Sequence, residues 1–267
     1  MLKPFRKLFS FSAPPLAPAV PAGQRIYAIG DIHGRIDLLT ALAGAIEADN
    51  AAGEPARSTV VLLGDLIDRG PDSAGVIRFA RAWQDRRKVR ILAGNHEEMF
   101  LASFEKTSVL RQFIRFGGKE TILSYGLDHE TYHRASLEEL QQMMLEIVPR
   151  DDLVFLAAFE DRIEIGDYLF VHAGILPEVA AEAQKLHDLR WIREPFLSHE
   201  GRHSHVVVHG HTITQDVDER DNRIGVDTGA YMHGRLTALV LEGTRRRYIA
   251  ACDNEGSVAI EAWHAPS

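Results

Sequence analysis

Arg25-Ile26-Tyr27-Ala28-Ile29-Gly30-Asp31-Ile32-His33-Gly34 joins a short apolar run to a glycine and two side chains able to hold a metal ion. The arrangement returns four times. Thr59–Leu63 leads into Gly64-Asp65-Leu66-Ile67-Asp68-Arg69-Gly70, and Val89–Ala93 leads into Gly94-Asn95-His96-Glu97. Tyr168–Val171 leads into His172-Ala173-Gly174, and His205–Val208 leads into His209-Gly210-His211-Thr212. Runs of this length, rich in Val, Ile and Leu, predict buried strands, with glycine permitting the tight exit turn. Between the first three runs, Leu38, Leu39, Leu42, Ala45 and Ile46 are spaced for one helical face, as are Val76, Ile77, Ala80 and Trp83. Strand, helix, strand, helix, strand predicts an α/β chain with a parallel sheet, whose ligands gather at the carboxyl ends of the strands.

Those ends hold the chemistry. Asp31, His33, Asp65, Asn95, His172 and His211 offer oxygen and imidazole donors without a thiolate, a set suited to Mn, Fe or Zn. Two ions roughly 3.5 to 4 Å apart need a shared ligand, and Asp65, on a central strand end, is the natural bridge. Asp31 and His33 alternate along the chain, so a short extended exit aims both at one ion. Asn95, His172 and His211 would complete the shell of the other. A single Gly-Asp or His-Gly after a strand is commonly only a turn. Five such ends in one chain point to ligands, because burying these groups without a partner costs stability. Spacing leaves His209 as eligible as His211, since residues two apart in an extended segment face the same side. Asp227-Thr228-Gly229 is the tripeptide of aspartic proteases, but that chemistry needs two carboxylates sharing a proton, and the tripeptide occurs once.

The rest of the 267 residues sets bounds. A lone cysteine, Cys252, excludes an internal disulfide and a Cys-based zinc site, and suits a reducing, cytoplasmic compartment. No apolar run approaches the roughly 20 residues of a bilayer span. The net charge of -8 argues against general nucleic-acid binding. Residues 1–24, basic and then rich in Pro and Ala, are expected to form a flexible tail ahead of one catalytic domain over 25–267. Within that domain, 98–167 separate the third and fourth motifs and are expected to form a helical wall on the substrate side. Ser136 and Glu139 form a capping-box pattern, predicting a helix that stops before Pro149. The basic run Arg78, Arg81, Arg86, Arg87, Lys88 and Arg90 is read as a solvated helix end.

Taken in order, Gly-Asp-Ile-His-Gly, Gly-Asp-Leu-Ile-Asp-Arg-Gly, Gly-Asn-His-Glu, His-Ala-Gly and Gly-His-Thr resemble the phosphoprotein phosphatase family of binuclear metallophosphoesterases, most closely its bacterial and phage serine/threonine branch. The resemblance spans about residues 25–240. It implies the calcineurin-like metallophosphoesterase fold, two facing β-sheets flanked by helices. It implies two divalent ions, Mn foremost with Fe or Zn as alternatives: Asp31, His33 and Asp65 on the first, and Asp65, Asn95, His172 and His211 on the second. It makes His96 the general acid oriented by Asp68, and Arg69 a phosphate-binding arginine, with Asn95 also facing substrate. Arg190-Trp191-Ile192-Arg193-Glu194 is similar to the Trp-x-Arg-Glu segment of phage and bacterial members, which makes Arg193 the second phosphate clamp. The implied reaction is hydrolysis of phosphoserine or phosphothreonine on a phosphoprotein or phosphopeptide, with phosphotyrosine as a further option, by direct attack of a metal-bridging hydroxide. The alternative substrate is a dinucleoside polyphosphate, as in related bacterial diadenosine tetraphosphatases, whose third motif usually ends in Asp where this chain has Glu97. A catalytically silent metallophosphoesterase fold serving as an interaction module would be expected to lose ligands, and none of the six is missing.

Overall fold

The computed structural model describes residues 17–265. Its first half follows the alternation read from the sequence: β1 (Gln24–Ile29), α1 (Ile36–Ala52), β2 (Arg57–Leu62), α2 (Ser73–Gln84) and β3 (Val89–Ile91). The three strands are parallel, with Ile26 opposite Thr59 and Val60 opposite Val89. Six helices follow: α3 (Asn95–Ser103), α4 (Thr107–Phe113), α5 (Lys119–Ser124), α6 (His129–Arg134), α7 (Leu137–Ile147) and α8 (Arg150–Ala157), with a π-helical turn at Ile114–Gly118. The remaining elements are β4 (Ile163–Ile165), β5 (Tyr168–Phe170), α9 (Leu186–Trp191), β6 (Val206–His209), β7 (Asp218–Glu219), β8 (Arg223–Gly225), α10 (Ala230–His233), β9 (Arg235–Glu242), β10 (Arg245–Asn254) and β11 (Ser257–His264).

Two mixed sheets result. One has the order β11-β10-β9-β1-β2-β3, the other β4-β5-β6-β8-β7. Each contains three adjacent parallel strands: β1-β2-β3 form one side of the first sheet, continued beyond β1 by antiparallel β9 to β11, and β5-β6-β8 form the centre of the second, between antiparallel β4 and β7. Alternation along the buried strands decides what each face packs against. From β1, Ile26 and Ala28 enter the core between the sheets with Val61, Leu63, Phe170, Val208 and Ile224. Tyr27 and Ile29 point the other way, joining Leu38, Leu42, Ile46, Val76, Ile77 and Trp83 of α1 and α2. On the outer face of the second sheet, Leu169, Val171 and Val207 pack against Leu189, Ile192 and Phe196. Because both faces of these strands are covered, their sequences read as continuous apolar runs. Truncating a fully buried side chain such as Phe170 to Ala would cost about 3–5 kcal/mol.

The calcineurin-like architecture of two sheets flanked by helices is therefore present. The parallel reading of the first three strands holds, but it misses the antiparallel strands β9 to β11 beside β1. The helical wall expected over 98–167 is helical through Ala157, after which β4 belongs to the second sheet. The capping box forms as read: Glu139 N donates to Ser136 Oγ, Ser136 N donates to a Glu139 carboxylate oxygen, and α7 ends at Ile147. Residues 1–16 of the expected tail lie outside the described residues. Its later part is packed. Val20 is buried in the inter-sheet core and donates to Gly243 O, while Ala19 exchanges hydrogen bonds with Asp167. Proline bars regular structure here without barring tertiary contact. In the basic run, Arg81 pairs with Asp152 and Arg87 with Glu47, so acidic neighbours neutralise those two charges.

Candidate metal centre

Every residue singled out from a strand exit lies at the carboxyl ends of the two parallel strand sets, where the sheets meet. Asp31 and His33 follow β1, Asp65 follows β2, Asn95 and His96 open α3 after β3, His172 follows β5 and His211 follows β6. All are buried: Asp31 and Asp65 are each 2% exposed, and His211, the most accessible, is 8%. Seven non-glycine residues have left-handed backbone among the described residues. Five of them belong here: His33, Asp65, Asp68, Arg69 and His211. Such backbone costs about 1–3 kcal/mol per residue and persists only where the surroundings impose it. Close approach imposes glycine at two points. A Cβ on Gly94 would stand 2.1 Å from Asp65 Oδ1, and one on Gly210 would stand 2.0 Å from Asp31 Oδ1.

Asp65 is the hub. Its Oδ2 lies 3.6 Å from His33 Nε2 and its Oδ1 lies 3.5 Å from His172 Nε2. Two groups have ligand atoms mutually within 4.8 Å, His33-Asp65-His96 and Asp65-His172-His211, and Asp65 is common to both. The donors face one another in a way that asks for a cation. His172 Nδ1 points at the carbonyl of Leu63 (2.8 Å), an acceptor, so that nitrogen carries the proton and Nε2 keeps a lone pair. Yet Nε2 faces Asn95 Oδ1 at 3.0 Å and Asp65 Oδ1 at 3.5 Å, both acceptors. His33 repeats the pattern, with Nδ1 donating to Ile67 O (2.7 Å) and Nε2 turned to Asp65. His211 Nε2 is buried without a hydrogen-bond partner. Second nitrogens fixed by backbone carbonyls are the usual support of metal-binding imidazoles. An oxygen and imidazole set of this kind fits divalent cations.

Electrostatics agree. Burial holds His33 and His172 below the ordinary imidazole range and pushes His211 down to about 3, so all three are neutral. Burial opposes the charge on Asp65, but His172, His96, His33 and His211 around it hold its carboxyl below the usual range. Asp31 is pushed well above that range by burial and by Asp227 and Asp65.

A second constellation adjoins the first. His96 Nδ1 and Asp68 Oδ2 are 2.5 Å apart. Burial opposes a proton on His96, yet Asp65 and Asp68 outweigh it and raise the imidazole above its ordinary range. Asp68 Oδ1 accepts from Thr121 Oγ1 (2.5 Å), and Asp68 N donates to Thr121 Oγ1 and Ser73 Oγ, so α5 and the start of α2 hold the carboxylate. Arg69 places Nη1 3.1 Å from His33 Nε2 and Nη2 2.9 Å from His96 Nε2, and its backbone N donates to Gly117 O. Arg193 reaches the site from the far side, donating to His211 O at 3.4 Å.

The arrangement departs from the sequence reading in two ways and separates one pair that spacing left open. Asp31 is not in the tight group with His33 and Asp65, where His96 stands instead; its two oxygens accept from His211 N at 3.1 and 3.0 Å. His209 faces Phe196 edge-on (5.1 Å) and bonds Gly210 O, away from Asp65. Three supporting residues escaped the sequence. Glu97 accepts from the backbone N of Asp65, Leu66 and Gly94, tying two loops together. Thr121 holds Asp68. Tyr231 lays its ring under the Arg69 guanidinium at 4.7 Å and packs against His33 at 5.2 Å. Glu97 had a signal in its place beside His96, whereas Thr121 and Tyr231 carry none.

A buried acid, imidazole and amide cluster at paired sheet edges, served by arginines, defines a metal-dependent phosphoesterase. The calcineurin-like phosphoesterase family matches residues 24–235, and the chain belongs to that family. Among curated proteins it is similar to the symmetrical bis(5'-nucleosyl)-tetraphosphatase of Klebsiella pneumoniae, 44% identical over 78 residues, covering 29% of this chain and 25% of the relative. The symmetrical enzyme of Acidovorax sp. strain JS42 is 32% identical over 162 residues, 59% of this chain and 46% of the relative. The matched region thus spans less than half the length of these two relatives. The asymmetrical bis(5'-nucleosyl)-tetraphosphatase PrpE of Bacillus subtilis is 27% identical over 230 residues, 78% of this chain and 87% of the relative. Among solved structures, a proposed diadenosine tetraphosphatase superposes with a TM-score of 0.58 at 22% identity, over 94% of this chain and all of the other. A cold-active protein-tyrosine phosphatase of a Shewanella species gives 0.52 at 18% identity, over 91% and 83%. These two likenesses show the fold.

Proposed function

We propose that this phosphoesterase hydrolyses dinucleoside polyphosphates at a P–O–P linkage, with two divalent cations held by Asp31, His33 and Asp65 on one side and by Asp65, Asn95, His172 and His211 on the other. The observation that carries the metal reading is the facing of acceptors around Asp65: the His172 Nε2 lone pair, the Asn95 amide oxygen and the Asp65 carboxylate converge without a proton to share, and His33 Nε2 turns to the same carboxylate from its other side. The substrate class is supported by the names of the curated relatives. When bound, the cations would lower the pKa of water toward neutrality and neutralise charge on the phosphoryl oxygens.

The chain supplies the rest. Arg69 and Arg193 flank the cluster from opposite sides and can each turn a guanidinium to a phosphoryl oxygen, the fork geometry suited to that contact. When Arg69 turns, His96 Nε2 is freed to hold a proton, with Nδ1 anchored on Asp68. Water adds to phosphorus, the P–O bond to the leaving group breaks, and His96 can deliver its proton to that oxygen. For a dinucleotide the leaving oxygen belongs to a nucleotide phosphate and is weakly basic. For a phosphoserine it is a strongly basic alkoxide.

A second reading, phosphoprotein phosphatase, is favoured by Glu97 in the third motif and by the Trp191-Ile192-Arg193-Glu194 segment. The two separate when the Mn-loaded protein is given diadenosine tetraphosphate, a phosphoserine peptide and a phosphotyrosine peptide. The dinucleotide should lead by at least about ten-fold in kcat/KM. A lead for either peptide would move the assignment to the phosphatase. No helix among the described residues is long and apolar enough to cross a membrane.

A further inference from the structure

The exit of β8 brings a sixth strand end to the cluster, and with it Asp227. Its carboxylate is 2% exposed, as are those of Asp31 and Asp65. Oδ1 accepts from Gly229 N at 3.0 Å, closing the Asp-Thr-Gly turn. Oδ2 is buried without a hydrogen-bond partner. Asp227 lies close to Asp31: the two chain segments approach so nearly that a Cβ on Gly30 would stand 2.4 Å from Val226 O and 3.3 Å from Asp227 Cα, and burial together with the nearby charge of Asp227 pushes the Asp31 carboxyl up. A turn needs only Oδ1. A buried carboxylate oxygen with no donor, set against a second buried carboxylate, is unfavourable in the protein alone, because like charges repel and neither oxygen is solvated. It becomes favourable where positive charge is brought in. Asp31, Asp65 and Asp227 together would offer three carboxylates to cations held beside the imidazoles of His33, His172 and His211.

We infer that Asp227 is a further carboxylate of the metal centre, a positioning residue that stands beside Asp31 and supplies negative charge to the cation held there. The inference rests on reading the cluster as a metal site, and it is independent of which phosphate ester is cleaved.

The test is Asp227→Asn, whose Oδ1 can still accept from Gly229 N. Metal-stripped wild-type and variant proteins are compared by thermal unfolding and titrated with Mn, with bound metal counted and the exchange-coupled Mn pair followed by paramagnetic resonance. The metal-stripped variant should melt at the same temperature as the wild type or higher, since a repulsive charge is gone. One of its two Mn ions should bind at least ten-fold more weakly, with loss of the coupled-pair signal. A variant that binds two Mn ions as tightly as the wild type overturns the role of Asp227. So does one that melts lower or fails to fold without metal, because its carboxylate would then serve the turn. A wild type that binds no Mn overturns the metal site itself.

Discussion

The two halves of the site are built differently. The half at the ends of β1, β2 and β3 is dense and supports itself. Glu97 joins the loops after β2 and β3, Asp68 is held by Thr121 and Ser73, and Asp65 Oδ1 accepts from His96 N at 3.1 Å. The half at the ends of β5, β6 and β8 is sparse and leans on the first. His172 donates to Leu63 O, which follows β2, and the backbone N of His211 donates to Asp31, which follows β1. One half therefore carries the His96-Asp68 pair and the template, while the other contributes neutral imidazoles oriented by that template. Damage should spread from the first half to the second more than in the reverse direction.

The largest effect should come from the acid of the first half. His96→Asn is expected to lower kcat by about 10²- to 10⁴-fold on an alkyl phosphate such as a phosphoserine peptide, and by much less on diadenosine tetraphosphate, whose leaving group needs little help. Steady-state rates on both substrates at matched metal content check this, and equal losses would remove His96 from the acid role. The second half should reveal itself through pH. Burial pushes His209 down to about 4 from an ordinary 6.5. A folded-state pKa below the unfolded value means that the unfolded chain takes up the proton first, so stability falls as pH drops from about 6.5 toward 4. The cost approaches about 3 kcal/mol at the lower end. His209→Phe should flatten that acid limb in melting experiments, and an unchanged limb would show that His209 does not control it. The smallest effect is structural and tests the direction of support. Glu97→Gln turns an amide toward backbone N–H groups and should cost about 2 kcal/mol, a fall in Tm of about 4–8 °C. Mn binding should weaken along with it. Weakened folding with intact Mn affinity would mean that Glu97 does not position Asp65.

The same contrast governs what could be read in advance. The first-half motifs are contiguous, so Asp31, His33, Asp65, Asp68, Arg69, Asn95 and His96 stand out as residues on three successive strand exits. In the second half, β4, β5 and β8 are three residues each, too short for a periodic signal to fix their pairing. There His172 and His211 stand out as donors at strand exits, but spacing alone does not separate His209 from His211. The choice between them lies in the ring of Phe196, which packs against His209 from a segment 13 residues earlier in the chain.

What the chain determined locally is the set of buried apolar runs, their glycine exits and the donor chemistry at those exits, because strand burial and tight turns depend on residues adjacent in sequence. Tertiary structure alone decided that both sheets bring their parallel strand ends to one point, that Glu97, Thr121 and Tyr231 brace the reactive groups, and that Asp227 lies close to Asp31. Those approaches join residues dozens to nearly 200 positions apart, and they exist only once the core between the sheets has closed.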